Sequence, residues 1–111
     1  MGIFVKGDVI VLNYPFSDFS KLKRRPAVVL ANSGDEDLLV CLITSQQKRD
    51  EYAVSIESGD FAIGSLNYPS IARPNRVATA ERAIVLYRVG RLGAEKTEEI
   101  VNSLIRLLKQ S

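Results

Sequence analysis

Histidine is absent from this 111-residue chain, and cysteine occurs once, at Cys41. Zinc and copper sites draw on imidazole and thiolate ligands, so both gaps argue against such a metal. A magnesium site built from carboxylates stays open. Without histidine no side chain titrates near neutrality unperturbed, which excludes the imidazole acid/base pair of a pancreatic-type ribonuclease. A single cysteine allows no intrachain disulfide. Cys41 lies in the apolar run Leu38-Leu39-Val40-Cys41-Leu42-Ile43 and reads as a buried core thiol, not a nucleophile. Long hydrophobic runs are missing as well: none approaches the ~20 residues that span a bilayer. Met1 to Lys6 has neither the apolar stretch nor the cleavage site of a secretory signal. We therefore expect a cytoplasmic protein with no membrane partner and no cofactor.

Internal repeats, low-complexity tracts and Pro/Gly-rich linkers are also lacking, and the length suits one compact unit, so residues 1–111 are read as a single domain. Asp8 to Tyr14 is β-branched and apolar, opened by Gly7 and closed by Pro15, and predicts a first strand. Phe16 to Arg25 is polar and basic and reads as a mobile loop. Pro26 to Ala31 predicts a second strand, with proline at its start, where a missing N–H matters least. Asn32-Ser33-Gly34-Asp35 is turn chemistry. Leu38 to Thr44 predicts a third strand whose unbroken apolarity implies burial on both faces. Tyr52 to Ile56 alternates as a half-buried strand, turned by Ser58-Gly59-Asp60. Ser70 to Thr79 predicts another strand, interrupted by Pro74. Glu81 to Leu86 predicts a helical turn, and Tyr87 to Leu92 a last strand.

The C-terminus differs in kind. From Ala94 to Lys109, Ile100, Val101, Leu104, Ile105, Leu107 and Leu108 recur at helical spacing. Glu95, Glu98 and Glu99 sit near the start, where the helix dipole favours them, and Gly93 serves as N-cap. Five to seven strands and one amphipathic helix, packed on the sheet or at a subunit contact, predict a mainly β fold with a C-terminal α-helix. It would be a small, partly open barrel or a curled sheet capped by the helix.

The net charge is +2, a balance that says little by itself; its distribution says more. Lys21, Lys23, Arg24 and Arg25 cluster densely, and Arg73, Arg76, Arg82, Arg88 and Arg91 form a second run. Acidic residues gather elsewhere, at Asp35-Glu36-Asp37 and Glu95-Glu98-Glu99.

Three stretches together resemble the MazF/PemK toxins: Gly7-Asp8-Val9-Ile10 leading to Pro15-Phe16, then Arg24-Arg25-Pro26-Ala27-Val28-Val29-Leu30, then Leu42-Ile43-Thr44-Ser45-Gln46. Weaker similarity follows in Arg73 to Thr79 and in Val89-Gly90-Arg91-Leu92. The resemblance implies a small SH3-like or CcdB-like barrel, a homodimer, that cleaves single-stranded RNA and is neutralised by an antitoxin. It implies Arg25 and Thr44 as catalytic residues and products ending in a 2′,3′-cyclic phosphate, formed when a 2′-hydroxyl attacks the adjacent phosphorus.

The residues suit that chemistry. Intramolecular attack compels neither a metal nor an activated water, but it needs a cation for the charge growing on the phosphorane oxygens, and a guanidinium suits this. A threonine hydroxyl can donate to the same phosphate. Such toxins also give their arginine the role of general base; a guanidinium is effectively always protonated near neutral pH, so we read Arg25 mainly as an electrostatic clamp. Lys21, Lys23 and Arg24 are candidate phosphate-positioning groups, and Phe19, Ser45 and Gln46 candidate RNA contacts, Phe19 by stacking. Tyr14 and Phe16 fit the core equally well. Arg73 and Arg76 fit either the RNA groove or a dimer interface, and Asp8 fits a strand-entry turn better than catalysis. The loop before Arg25-Pro26 departs from the pattern, because Asp18 is its sole carboxylate where several members carry glutamate or glutamine. Two other functions fit the same fold: a barrel that inhibits by binding a protein such as gyrase, and an RNA-binding barrel without activity. The intact Arg25-Pro26 and Thr44 pattern favours the nuclease.

Overall fold

The computed structural model describes residues 3–15, 22–32, 37–46 and 50–110. Among these, seven strands precede one helix: β1 (Asp8–Pro15), β2 (Leu22–Asn32), β3 (Asp37–Thr44), β4 (Val54–Ile56), β5 (Phe61–Gly64), β6 (Ser70–Glu81), β7 (Val85–Leu92) and α1 (Ala94–Gln110). All pair antiparallel in one sheet of order β4-β6-β3-β2-β1-β7-β5, which curls into a partly open barrel. The fold is mainly β with a C-terminal α-helix, as the strand and helix patterns imply.

The continuous apolar runs have a simple cause, since the middle of the sheet is covered on both faces. Val9, Val28, Cys41, Ile43 and Ile56 face one core, which Ile100 of α1 enters fully buried. Ile10, Leu12, Val29, Leu38 and Val40 face a second core, against which Phe4, Ile84 and Val85 pack. The helix docks by more than its apolar stripe. Ser103 Oγ donates to Tyr52 O (2.6 Å), and the Arg106 guanidinium lies 4.6 Å from the centroid of the Tyr52 ring. Ile105 and Leu108, counted in the sequence stripe, face solvent instead. Thr97 and Ser103 take buried places, each hydroxyl satisfied by a backbone carbonyl.

Several sequence expectations need correction. β2 begins at Leu22, so Lys23 and Arg24 lie on a strand facing Tyr14 and Asn13 of β1, not on a mobile loop. Backbone pairing accepts exposed cationic side chains, and a run of them at a strand end therefore reads as loop in sequence. β3 is not buried on both faces throughout; its outer end exposes Leu39. β6 runs on through Pro74 as one strand, but its pairing with β3 is interrupted there, as the proline implies. The register passes from Cys41 opposite Val77 to Ile43 opposite Ala72, so Arg73-Pro74-Asn75-Arg76 bulges out where a missing N–H leaves no ladder bond unmade. β5 had no counterpart in the sequence reading. It pairs with β7 through a contact of Gly64 on Gly90 so close that a Cβ on Gly90 would stand 2.2 Å from Ile63 O. Of the turn expected at Asn32–Asp35, Asn32 ends β2 and residues 33–35 lie outside the described residues, as do the loop residues Phe16 to Lys21.

Cys41 is fully buried, as its apolar setting implies. Burial pushes its thiol up to about 12, while a hydrogen bond with the Arg73 backbone acts weakly the other way. The reactive thiolate is thus scarce at any ordinary pH. Iodoacetamide at pH 8 is expected to leave the folded protein unmodified and to label it in guanidinium; labelling of the folded state within minutes would contradict this placement. Among the described residues, no helix is long and apolar enough to cross a membrane.

Candidate functional site

The end of β3 and the early part of β2 lie side by side. The β2–β3 register ends where Ala27 faces Leu42, and Arg25 and Thr44, each two residues beyond that pair, line the same two cavities. Both side chains are half-buried at this end of the sheet. The hydrogen bond at Thr44 runs in an informative direction: the Gln46 backbone N–H donates to Thr44 Oγ1 at 3.1 Å. The hydroxyl accepts there, so its proton remains available to donate outward.

A cavity opens on each side of this junction. The smaller, about 120 Å³, is lined by Arg25, Leu42, Ile43, Thr44, Gln46, Arg73 and Arg76. The larger, about 470 Å³, adds Arg24, Ser45 and the segment Ser65 to Tyr68 to the shared wall of Arg25, Ile43, Thr44 and Gln46. Arg25 and Thr44 therefore stand on a ridge between two depressions. Four guanidinium groups line them, and among the described lining residues none is acidic. Converging cations in a sheltered cleft favour an anionic ligand.

Of the residues picked from sequence, Arg24, Arg25, Thr44, Ser45 and Gln46 converge here. Lys23 is exposed one residue further back on β2 and belongs to the lining of neither cavity. Phe19 and Lys21 lie outside the described residues. The second basic run divides. Arg73 and Arg76, left open in sequence, line the smaller cavity, where the bulge around Pro74 carries them. Arg73 Nη2 stands 3.6 Å from Asp50 Oδ2, and its Nε is buried without a partner among the described residues. Arg88 and Arg91 instead turn to Asp8. That carboxylate is fully buried; it accepts from the Val5 backbone N–H at 2.9 Å and from Arg91 Nε at 2.8 Å, which fits the strand-entry role. Among the described residues, no group of three or more His, Cys, Asp or Glu side chains is placed to hold a metal ion.

The sequence pattern described as "PemK-like, MazF-like toxin of type II toxin-antitoxin system" matches residues 5–108. The chain belongs to this PemK/MazF-like toxin family. A search of curated proteins gave no match. Solved structures repeat the fold at low identity. MazF from Deinococcus radiodurans superimposes with a TM-score of 0.79 at 20% identity, covering 98% of this chain and 99% of that one. An endoribonuclease solved in complex with its cognate antitoxin, from a mycobacterial species, gives 0.78 at 12% identity and covers 98% of each chain. The Mycobacterium tuberculosis toxin MazF-mt6 gives 0.68 at 16% identity, covering 90% and 96%. The PemK/MazF-like architecture thus holds across sequences that differ at four positions in five or more. Two features of the cleft had no signal in this sequence: the Ser65 to Tyr68 wall, and Tyr87, which reaches it from β7.

Proposed function

We propose that this PemK/MazF-like chain is an endoribonuclease that cleaves single-stranded RNA, with Arg25 and Thr44 as its catalytic residues. The observation that carries this reading is the Arg25–Thr44 ridge between two arginine-lined depressions whose described lining holds no acidic residue. A phosphodiester seated on the ridge meets the Arg25 guanidinium and a donating Thr44 hydroxyl. The 2′-oxygen of the preceding ribose forms a bond to phosphorus, and the bond from phosphorus to the 5′-oxygen breaks. The 2′-hydroxyl proton leaves to a base, and the departing 5′-oxygen takes one up. The upstream fragment then ends in a 2′,3′-cyclic phosphate. Arg25 stabilises charge on the non-bridging oxygens, where a fixed cation acts most strongly in the transition state. Arg24, Arg73 and Arg76 position neighbouring phosphates, with Ser45 and Gln46 at the rim.

In this reading the chain acts as a homodimer and is held in check by an antitoxin whose acidic segment competes with RNA for the cationic cleft. A structural relative solved with its cognate antitoxin supports that partner class. The test is to incubate the purified protein with a mixed-sequence RNA in excess EDTA. Cleavage that survives chelation supports the proposal; no cleavage of any RNA, with or without divalent ions, overturns it.

A further inference from the structure

The lining of the larger cavity combines two chemistries: the cations Arg24 and Arg25, and Asn67, Tyr68 and Tyr87. Tyr68 is 69% exposed and Tyr87 52% exposed, unusual for large aromatic side chains that share one depression. Neither ring makes a hydrogen bond, ion pair or ring contact with another described residue. Their backbones, by contrast, are firmly held. The buried Ser70 hydroxyl donates to Tyr68 O at 2.9 Å. Tyr87 pairs with Val11 in the β1–β7 ladder, and Leu66, just past β5, packs against the helix-side core. Two uncovered aromatic rings on firmly held backbone, sharing a cavity of about 470 Å³ with two guanidinium groups, match what an unpaired nucleotide presents: an apolar base face and a charged phosphate.

From this we infer that Tyr68 and Tyr87 form the base-binding wall of the cleft, stacking a nucleobase adjacent to the cleaved phosphate while Arg24 and Arg25 hold the backbone. Asn67, Ser65 and Gln46 line the same cavity and present donors and acceptors to the base edge, so this wall contributes to sequence preference. The inference rests on the RNA-cleaving reading above.

The experiment begins by mapping cleavage of a mixed-sequence RNA by the wild-type protein, then replaces each nucleotide flanking the cleaved bond, one at a time, with an abasic residue. Tyr68→Ala and Tyr87→Ala are expected to lower kcat/KM on intact RNA by about 10- to 100-fold. Tyr→Phe at either position should retain most of the activity. On the RNA that is abasic at the stacked position, wild type and the alanine variants should become equal. Equal losses on intact and abasic RNA, or no loss at all, overturn the inference while leaving the nuclease reading intact. A loss that coincides with a change in oligomeric mass by light scattering also overturns it, and assigns the tyrosines to a contact between copies. A wild-type protein that cleaves no RNA overturns both.

Discussion

Replacing Arg25 with alanine is expected to lower the RNA-cleavage rate by about 1,000-fold, mostly in kcat. Removing one preorganised donor from a developing oxyanion costs on the order of 10²–10³ in rate, and a charged guanidinium on a transferring phosphoryl group about 10³–10⁵. The lower end applies here because Arg24, Arg73 and Arg76 remain in the cleft and keep part of the cationic field. Arg25→Lys should recover about one order of magnitude, since an ammonium restores charge without the two-pronged geometry. Loss through unfolding is the competing explanation. Arg25 is half-buried near a strand end, outside both core clusters, so the melting temperature of Arg25→Ala should stay within about 3 °C of wild type. An Arg25→Ala protein that folds normally and cleaves at the wild-type rate would remove Arg25 from the mechanism.

The second large effect concerns stability, at Asp8. Its carboxylate is fully buried, while Arg88 and Arg91 keep 48% and 38% of their side chains exposed. The partners are therefore unequal: an arginine that loses Asp8 can hydrate, but Asp8 without its cations cannot. Removing one partner of a buried pair costs about 3–5 kcal/mol when the remaining charge stays dry. Arg91→Met keeps an apolar stem over the carboxylate and deletes the 2.8 Å bond, leaving Arg88 at 3.5 Å as the nearer cation. We expect a loss of about 3 kcal/mol, or roughly 10 °C in melting temperature. Asp8→Asn should cost about 1–2 kcal/mol, because the amide still accepts from the Val5 N–H. In the double variant the neutral amide needs no counter-charge, so the two losses should sum to more than the double variant shows, by about 1 kcal/mol or more. Strict additivity in denaturant titrations would mean that Asp8 and Arg91 do not act as a pair.

Much of this was legible in the chain. The helix could be read because Ile100 and Leu104 recur at helical spacing beside an acidic first turn. β1 and β3 could be read because both faces of the central sheet are covered, which forces unbroken apolar runs instead of alternation. Arg25 and Thr44 could be picked by resemblance, but their juxtaposition depends on the register of β2 on β3, which no local pattern states. The rest was illegible for particular reasons. Lys23 and Arg24 carry loop-like side chains on a strand backbone. Pro74 normally argues against a strand, yet a bulge absorbs it and in doing so delivers Arg73 and Arg76 to the cleft. β5 is four residues long and is held by a glycine-on-glycine contact that leaves no hydropathy signal. Tyr68 and Tyr87, nineteen positions apart, meet in one cavity through the pairing of β5 with β7. The division of the second basic run could not be foreseen either, since the recruitment of Arg88 and Arg91 by Asp8 spans about eighty residues of chain.

The proposed reaction is a phosphoryl transfer to an internal hydroxyl, assisted by Arg25 and Thr44. Mass analysis of the RNA fragments tests it most directly, because the 3′ end records which oxygen attacked. Upstream fragments are expected to end in a 2′,3′-cyclic phosphate, formed in EDTA and lost in Arg25→Ala. Fragments with a free 3′-hydroxyl and a 5′-phosphate would show that water attacked from outside, and would contradict it.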